Sequence, residues 1–352
     1  MSITLKDIAD ELNVSVNTVS RALRNMPDIG QETTNLVKET AARLGYRKNL
    51  AASYLKTTKS MMLGIVVPDI CNPVFSYMYK GIEKICAETN YTLMLGNSNG
   101  NPDEESAILS NMLDHGVDGI FLVPGMKNTQ SHTQLENAKV PYVILQRKFP
   151  GLSANFVQSN DYEGGYLAAQ HLYQLGHRSF LYISAPMYIS SARDRYNGFM
   201  AYLKEKGLSE SAVQILECDS TKAGGYQTAK EWFAQQPDLK QLSATAIFCF
   251  SDYVAYGVYS AIAKFHLCVP EDISVIGYDN NEYSDMTSPA LTTVDILPYK
   301  IGEQSAKIMF DLINTPGNGA HREAVISPEL ILRDSTRQIL SSDRPVGSDS
   351  GD

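Results

Sequence analysis

Residues 15–21, Ser-Val-Asn-Thr-Val-Ser-Arg, place an amide, a guanidinium, three hydroxyls and a branched apolar tip on one short stretch. If the stretch is helical, Val16, Asn17, Ser20 and Arg21 share one face, because residues three and four apart lie above one another. Such groups suit the edges of bases. Asn can bond adenine through two hydrogen bonds, Arg can do the same with guanine, and Val can meet a thymine methyl.

Catalytic chemistry finds no comparable pattern. The sequence contains no Walker-type loop and no G-x-S-x-G nucleophile elbow. The six histidines (His115, His132, His171, His177, His266, His321) show no metal-ligand spacing. His177, in Leu-Gly-His-Arg at a helix end, reads as a capping or packing group. Gly96–Gly100 is rich in Gly and Asn but lacks the lysine of a phosphate cradle. The five cysteines (Cys71, Cys86, Cys218, Cys249, Cys268) form no C-x-x-C pair, so reduced, mostly buried thiols are expected. The expectation is no enzyme, no metal and no cofactor.

The base-reading groups need a support, and their neighbours supply one. Thr4 can cap a first helix, with Asp7 three residues on. Leu5, Ile8, Ala9 and Leu12 repeat at helical spacing, and Asn13 tolerates the left-handed conformation that would stop the helix. Ser15 can cap a second helix with Val19, Ala22 and Leu23 inward. Residues 30–46 read as a third, with Leu36, Val37, Ala41 and Leu44 on one face. Three short helices closing a small core make a helix-turn-helix head. Charge agrees: residues 1–60 hold nine basic and six acidic groups in a chain whose formal charge is −9. A basic head on an acidic body fits a nucleic-acid contact confined to one end.

These residues, with "DIADELNVSVNTVSRAL", "AARLGY" and "NLAASYLKTTKS" at 49–60, resemble the lactose-repressor (LacI/GalR) family of bacterial transcription factors. The resemblance implies DNA contacts from Thr4, Ser15, Val16, Asn17, Thr18, Ser20, Arg21, Asn25 and Tyr46. It also implies a hinge at 49–60 that orders on DNA, with Asn49, Ala52, Leu55 and Lys56 in the minor groove and Leu55 wedged between base steps. The chain departs from the family pattern in places. Asn13 stands where Gly is common, Gly30 replaces a Ser cap, and Thr34 and Ser53 each replace an Arg. Loss of those arginines should weaken phosphate contacts.

After the hinge, apolar runs alternate with helical patterns. Residues 62–69, 91–98, 119–125 and 141–147 read as buried parallel strands, separated by helices at 73–90, 102–116 and 128–139. The rhythm repeats with strands at 179–185, 213–218, 244–251 and 273–280, among helices near 161–176, 190–207, 222–236 and 252–266. Two successive doubly wound α/β units are expected, with ligand chemistry beyond the C-terminal strand ends. The resemblance extends here through "PDICNPVF", "GYLAAQHLYQLGHR", "RDRYNGF", "SDYVAYG" and "VIGYDNNEYSDMTSPALTTV".

The expected fold is thus an all-α helix-turn-helix headpiece (1–48), a hinge (49–60) and an α/β periplasmic-binding-protein-like core (61–340) of two doubly wound parallel-sheet lobes. By resemblance, lobe one takes about 61–160 and 292–322, and lobe two about 161–291 and 323–340. Residues 341–352 read as a disordered tail without the leucine heptad of tetrameric members, which favours a homodimer. No apolar run is long enough for a membrane span and no signal peptide is evident, so a cytoplasmic location is expected.

The resemblance implies a small-molecule effector between the lobes. Arg195 and Asp279 match effector-contacting positions, and their chemistry suits a carbohydrate: vicinal hydroxyls need a donor and an acceptor. Ser251 and Asp252 match an Asn-Asp pair. Gln146, beside Arg147, replaces a common Asp. Asn72 and Phe75 are further candidates, Phe75 as a stacking surface, with Tyr77 and Tyr253 after them. The implied activity is control of transcription at a roughly palindromic operator, most simply as a repressor responding to a sugar or sugar derivative. Alternatives are a purine or other metabolite acting as corepressor, or a carbon-catabolite regulator controlled by a phosphorylated partner through a basic patch that includes Lys80 and Lys84. A transport solute-binding protein is disfavoured by the DNA-binding head.

Overall fold

A computed structural model of the chain describes residues 3–46, 59–125, 129–149, 151–315 and 321–339. The chain divides into two compact units, Met1–Ser60 and Met61–Asp352. The expected hinge contacts Asn49, Ala52, Leu55 and Lys56 and the tail 341–352 lie outside the described residues.

The first unit holds helices α1 (Leu5–Leu12), α2 (Val16–Ala22) and α3 (Gln31–Arg43). Ile8, Ala9, Val19, Ala22, Val37 and Ala41 form its core. α1 opens with a full capping box: the Asp7 backbone N–H donates to Thr4 Oγ1, and the Thr4 N–H donates to Asp7 Oδ2 at 2.7 Å. α1 ends at Asn13, whose φ of 51° is left-handed. Ser15 caps α2 by accepting from the Thr18 N–H at 3.0 Å. One expected face is corrected. Leu36 is 50% exposed, while Thr34 and Thr40 are buried. Val37 and Ala41 set the rotation of α3, which brings positions three residues from Val37 inward and leaves Leu36 about 100° away. Thr34 therefore bears on packing rather than on phosphate contact.

The second unit contains two six-stranded sheets. In the first lobe β1 (Met62–Val67), α4 (Pro73–Glu88), β2 (Thr92–Asn97), α5 (Pro102–Asp114), β3 (Gly119–Leu122), α6 (Gln130–Ala138), β4 (Tyr142–Leu145) and β5 (Phe156–Ser159) alternate. The second lobe follows with α7 (Asp161–Gln174), β6 (Phe180–Ser184), α8 (Ser190–Glu205), β7 (Val213–Glu217), α9 (Lys222–Ala234), β8 (Ala246–Cys249), α10 (Asp252–Lys264), β9 (Ser274–Tyr278) and β10 (Thr292–Asp295). Then α11 (Pro298–Asn314) and β11 (Glu323–Ile326) return to the first lobe, and β12 (Glu329–Ile331) goes back to the second.

The first sheet runs β11-β5-β4-β3-β1-β2, all parallel. The second runs β12-β10-β9-β8-β6-β7, with only β12 antiparallel. Central strands such as β3, β4, β6, β8 and β9 are buried throughout, as parallel strands covered on both faces must be. The lobe limits shift from the expected ones. Residues 292–295 stay in the second sheet, where Thr292 pairs with Ile276, and residues 323–326 join the first, where Glu323 pairs with Phe156. The chain crosses between lobes at Asn160, at 296–297 and at 327–328.

Cys86, Cys218 and Cys249 are buried, whereas Cys71 and Cys268 are exposed; all five thiols are free. His177 is packed as expected, between Thr245 Oγ1 at 2.9 Å and the Arg337 carbonyl at 3.2 Å. Burial pushes its pKa down to about 4. None of the described helices is long and apolar enough to cross a membrane.

Candidate functional site

The exposed side of α2 is set by its buried side. Val19 and Ala22 point into the core, which turns Val16, Asn17, Ser20 and Arg21 outward. Val16 is 45% exposed and Asn17 is exposed; Thr18, Ser20 and Arg21 are half-buried. Asn25, exposed with a φ of 53°, turns the chain after the helix. Thr4 and Ser15 lie at the surface, but their hydroxyls are occupied by capping bonds. Tyr46 is half-buried against the core. Arg21 NH2 pairs with Asp28 Oδ2 at 2.5 Å.

Between the lobes lies a cleft of about 510 Å³. Six of the eight expected ligand residues line it: Asn72, Phe75, Gln146, Arg147, Arg195 and Asp279. Asn72 is also the N-cap of α4, accepting from the Val74 N–H. Arg195 projects from α8 and is buried. Its Nε donates to Asp161 Oδ1 at 2.9 Å, its NH1 to the Phe250 carbonyl at 2.5 Å, and its NH2 lies 3.6 Å from Asp279 Oδ1. The guanidinium sits 3.6 Å from the Tyr278 ring centroid and 4.6 Å from that of Phe250. Burial opposes its charge, but Asp161 and Asp279 outweigh burial and raise its pKa. Burial also raises the pKa of Asp279, against the pull of Arg195.

The close packing of α7 on α8 brings Asp161 to Arg195. A Cβ on Gly165 would lie 1.9 Å from the Arg195 carbonyl oxygen, and one on Gly198 1.8 Å from that of Tyr162. Only glycine permits this approach.

Gln146 directly follows β4 with a left-handed φ of 59°. Its Oε1 accepts from the Ser159 N–H at 3.1 Å. Arg147 NH1 donates to the Pro124 carbonyl at 2.9 Å. Burial, with Arg195 nearby, lowers the Arg147 pKa to about 10.

Ser251 and Asp252 do not line the cleft, contrary to expectation. Ser251 Oγ caps α10 by accepting from the Val254 N–H. Asp252 is fully buried and accepts from the Asn281 N–H at 2.8 Å, Ser284 Oγ at 2.6 Å and Thr293 Oγ1 at 2.5 Å. Both serve the turns behind the cleft wall, because the chain enters α10 immediately after β8. Tyr77 and Tyr253 also lie off the cleft. Tyr77 Oη donates to Glu282 across the lobes at 2.9 Å, and Tyr253 lines a separate cavity with Cys71 and Tyr283. Of the lysines considered for a phosphorylated partner, Lys84 is paired with Glu303 at 2.8 Å and Lys80 sits over the Tyr77 ring.

Sequence reasoning missed Asp69, Tyr188 and Asp219 on the cleft wall, and Asp161 behind Arg195. Asp69 and Asp219 follow strand ends, so the strand-end rule could have found them.

A helix-turn-helix unit with the outer face of α2 exposed, followed by a two-lobed unit with a polar interlobe cleft, is the architecture of a ligand-responsive DNA-binding regulator. Residues 4–49 match the model for bacterial regulatory proteins of the lacI family, and residues 169–336 match a periplasmic binding protein-like domain. The HTH-type transcriptional repressor PurR of Mannheimia succiniciproducens is 30% identical, over 96% of this chain and 99% of that protein. Catabolite control protein A of Priestia megaterium is 31% identical, over 89% and 93%. A ribose-bound LacI family transcriptional regulator from Enterococcus faecium superposes with a TM-score of 0.71 at 30% identity, covering 79% of this chain and all of that one. The chain belongs to the lacI family of bacterial regulatory proteins, whose members are DNA-binding transcriptional regulators and not enzymes.

Proposed function

We propose that the chain represses transcription by binding a roughly palindromic operator as a homodimer in the cytoplasm, and that a small carbohydrate or carbohydrate derivative in the interlobe cleft sets its affinity for DNA. Val16, Asn17, Ser20 and Arg21 read bases, with Thr18, Asn25 and Tyr46 beside them. Leu55 acts as the minor-groove wedge, flanked by Asn49, Ala52 and Lys56. Asn72, Phe75, Gln146, Arg147, Arg195 and Asp279 hold the ligand.

The observation that carries this reading is the cleft wall. Arg195 and Asp279 offer a donor and an acceptor into a cavity that both lobes bound. A ligand held there touches both lobes, so it favours the lobe arrangement it fits better and shifts DNA affinity accordingly. Relatives named as repressors and the ribose-bound family member support the two halves of the proposal.

The test has two stages. The purified chain is first used to select duplexes from random DNA, and enrichment of a two-fold symmetric sequence is expected. Selection without symmetry refutes the dimeric operator. A thermal-shift screen of sugars then finds the ligand, and titration with the selected duplex gives the sign: weaker DNA binding marks an inducer, stronger binding a corepressor. A ligand that binds without moving DNA affinity refutes the allosteric link.

A further inference from the structure

The two arginines of the cleft are in opposite states. Arg195 has its Nε and NH1 bonded and two carboxylates beside it. Arg147 has one neutral partner, the Pro124 carbonyl, and among the described residues no carboxylate lies within ion-pair distance of it. Glu105, the acid that most favours its charge, already accepts from the Gly125 N–H at 2.8 Å and from the Ser131 hydroxyl. This half-buried cation on the cleft wall has little compensation from the protein itself.

Next to it, Gln146 is 5% exposed, and its Nε2 has no hydrogen-bond partner. The amide cannot be turned to relieve this, because Oε1 must face the Ser159 N–H. A third donor comes from lobe two. The sixteen-residue helix α8 follows Ile189, an N-cap without a side-chain hydrogen bond, and Ile189 and Ser191 line the same cleft. Its first N–H groups carry the positive end of the helix dipole. Two carboxylates on the wall are held by their own turns, Asp69 accepting from the Cys71 N–H and Asp219 from the Thr221 N–H and hydroxyl, while Asp279 faces Arg195 within the cleft.

We infer that the effector carries an anionic oxygen group, a phosphate or a carboxylate, which docks among Arg147, Gln146 and the N-terminus of α8, while Arg195 and Asp279 take its hydroxyls. This rests on reading the cleft as the effector site and narrows the ligand from carbohydrates in general to sugar phosphates and sugar acids. The replacement of a commonly acidic residue by Gln146 is what makes room for a negative group: a carboxylate there would neutralise Arg147 from within and repel the ligand.

Calorimetric titration of the full chain with matched pairs tests the assignment. The pairs are ribose against ribose 5-phosphate, glucose against glucose 6-phosphate, and glucose against gluconate, with inorganic phosphate against chloride at equal ionic strength as the minimal probe. The charged member of at least one pair is expected to bind about tenfold more tightly or better, phosphate is expected to raise the unfolding midpoint, and Arg147→Met is expected to remove both effects. Gln146→Glu keeps the size and an acceptor for the Ser159 N–H, and it is expected to erase the preference for the charged member of each pair. Phosphate and carboxylate are separated by which pair responds. A neutral sugar that binds as tightly as its charged partner, with binding intact in Arg147→Met, overturns the inference and leaves the effector reading standing. No response to any pair or to phosphate also overturns it. Failure of the effector reading itself shows instead as ligand binding that leaves operator affinity unmoved.

Discussion

Arg195 and Asp161 form a 2.9 Å salt bridge in which the side chains are only 3% and 4% exposed. Neither residue is free to leave the other in an interior this dry. Removing one partner strands the other's charge, and that loss exceeds the net worth of the intact pair. Asp161→Ala is therefore expected to destabilise the chain by about 3–5 kcal/mol, read as a lower urea midpoint. An unchanged midpoint would mean that Asp279 and the Phe250 carbonyl suffice for the guanidinium.

Arg195→Ala separates structure from response. The exposed face of α2 is untouched by it, so operator binding by the purified, folded chain is expected to persist while the effect of the cleft ligand on that binding disappears. Titration of operator DNA with and without saturating ligand gives the answer, and a retained response would place the controlling contact elsewhere.

Asp252 gives the stability a pH dependence of defined sign. Burial raises its pKa to about 6 against an ordinary value of 3.8, despite hydrogen bonds from Ser284, Thr293 and Asn281 that lower it. The folded state therefore binds more protons than the unfolded one between about pH 4 and 6. The contribution of this group is greatest below the ordinary carboxylate pKa and is lost as pH rises towards 6. Asp252→Asn is expected to flatten that decline by up to about 3 kcal/mol. Parallel urea curves for the two proteins across the window would contradict it.

The strand pattern was readable because parallel strands buried on both faces leave near-continuous apolar runs, as in Tyr142–Leu145 and Ala246–Cys249. The runs overshoot the strands at their C-terminal ends, and the overshoot is informative. Asp69, Gly125, Gln146, Arg147, Phe250 and Asp279 all fall in expected strands, lie beyond the observed ones, and line the cleft. Local periodicity cannot tell where a ladder stops; the geometry of the neighbouring strands does. The strands β5, β10, β11 and β12 were not legible because polar residues (Gln158, Ser159, Thr292, Thr293, Glu323 and Glu329) break the apolar run that marks β4 and β8. Asp161 was hidden because its role comes from α7 pressing on α8, a contact set by Gly165 and Gly198 and invisible at sequence distance. Ser251 and Asp252 misled for the opposite reason. They occupy a suggestive place in the sequence, but their hydrogen bonds point behind the wall.

Ser15 and Asn17 of the proposed reading stretch are expected to have separable roles. Ser15 caps α2 through the Thr18 N–H, while the Asn17 side chain is exposed and bonds to no other headpiece group among the described residues. Ser15→Ala is expected to cost about 1 kcal/mol of headpiece stability and to lower affinity for all duplexes together. Asn17→Ala is expected to leave stability unchanged and to relax selectivity at one position of each half-site by about 1–3 kcal/mol. Selection from randomised operators distinguishes the two, and unchanged selectivity in Asn17→Ala would remove it from the reading face.

Asp28 bears on the same face through Arg21. The 2.5 Å contact between Arg21 NH2 and Asp28 Oδ2 occupies one arm of the fork that would bond guanine in bidentate fashion. The Arg21 Nε is buried and has no hydrogen-bond partner, so the guanidinium is not fully satisfied in this position. Base recognition and the Asp28 contact compete for the same N–H groups. Asp28→Asn is expected to tighten binding to the selected operator by about five- to tenfold, a gain of about 1 kcal/mol, and to do so less on a duplex whose contacted guanine is replaced. Fluorescence anisotropy on the two duplexes over a salt series measures both effects. Weaker binding in Asp28→Asn would give the carboxylate the opposite role, that of holding the guanidinium plane in register with the base.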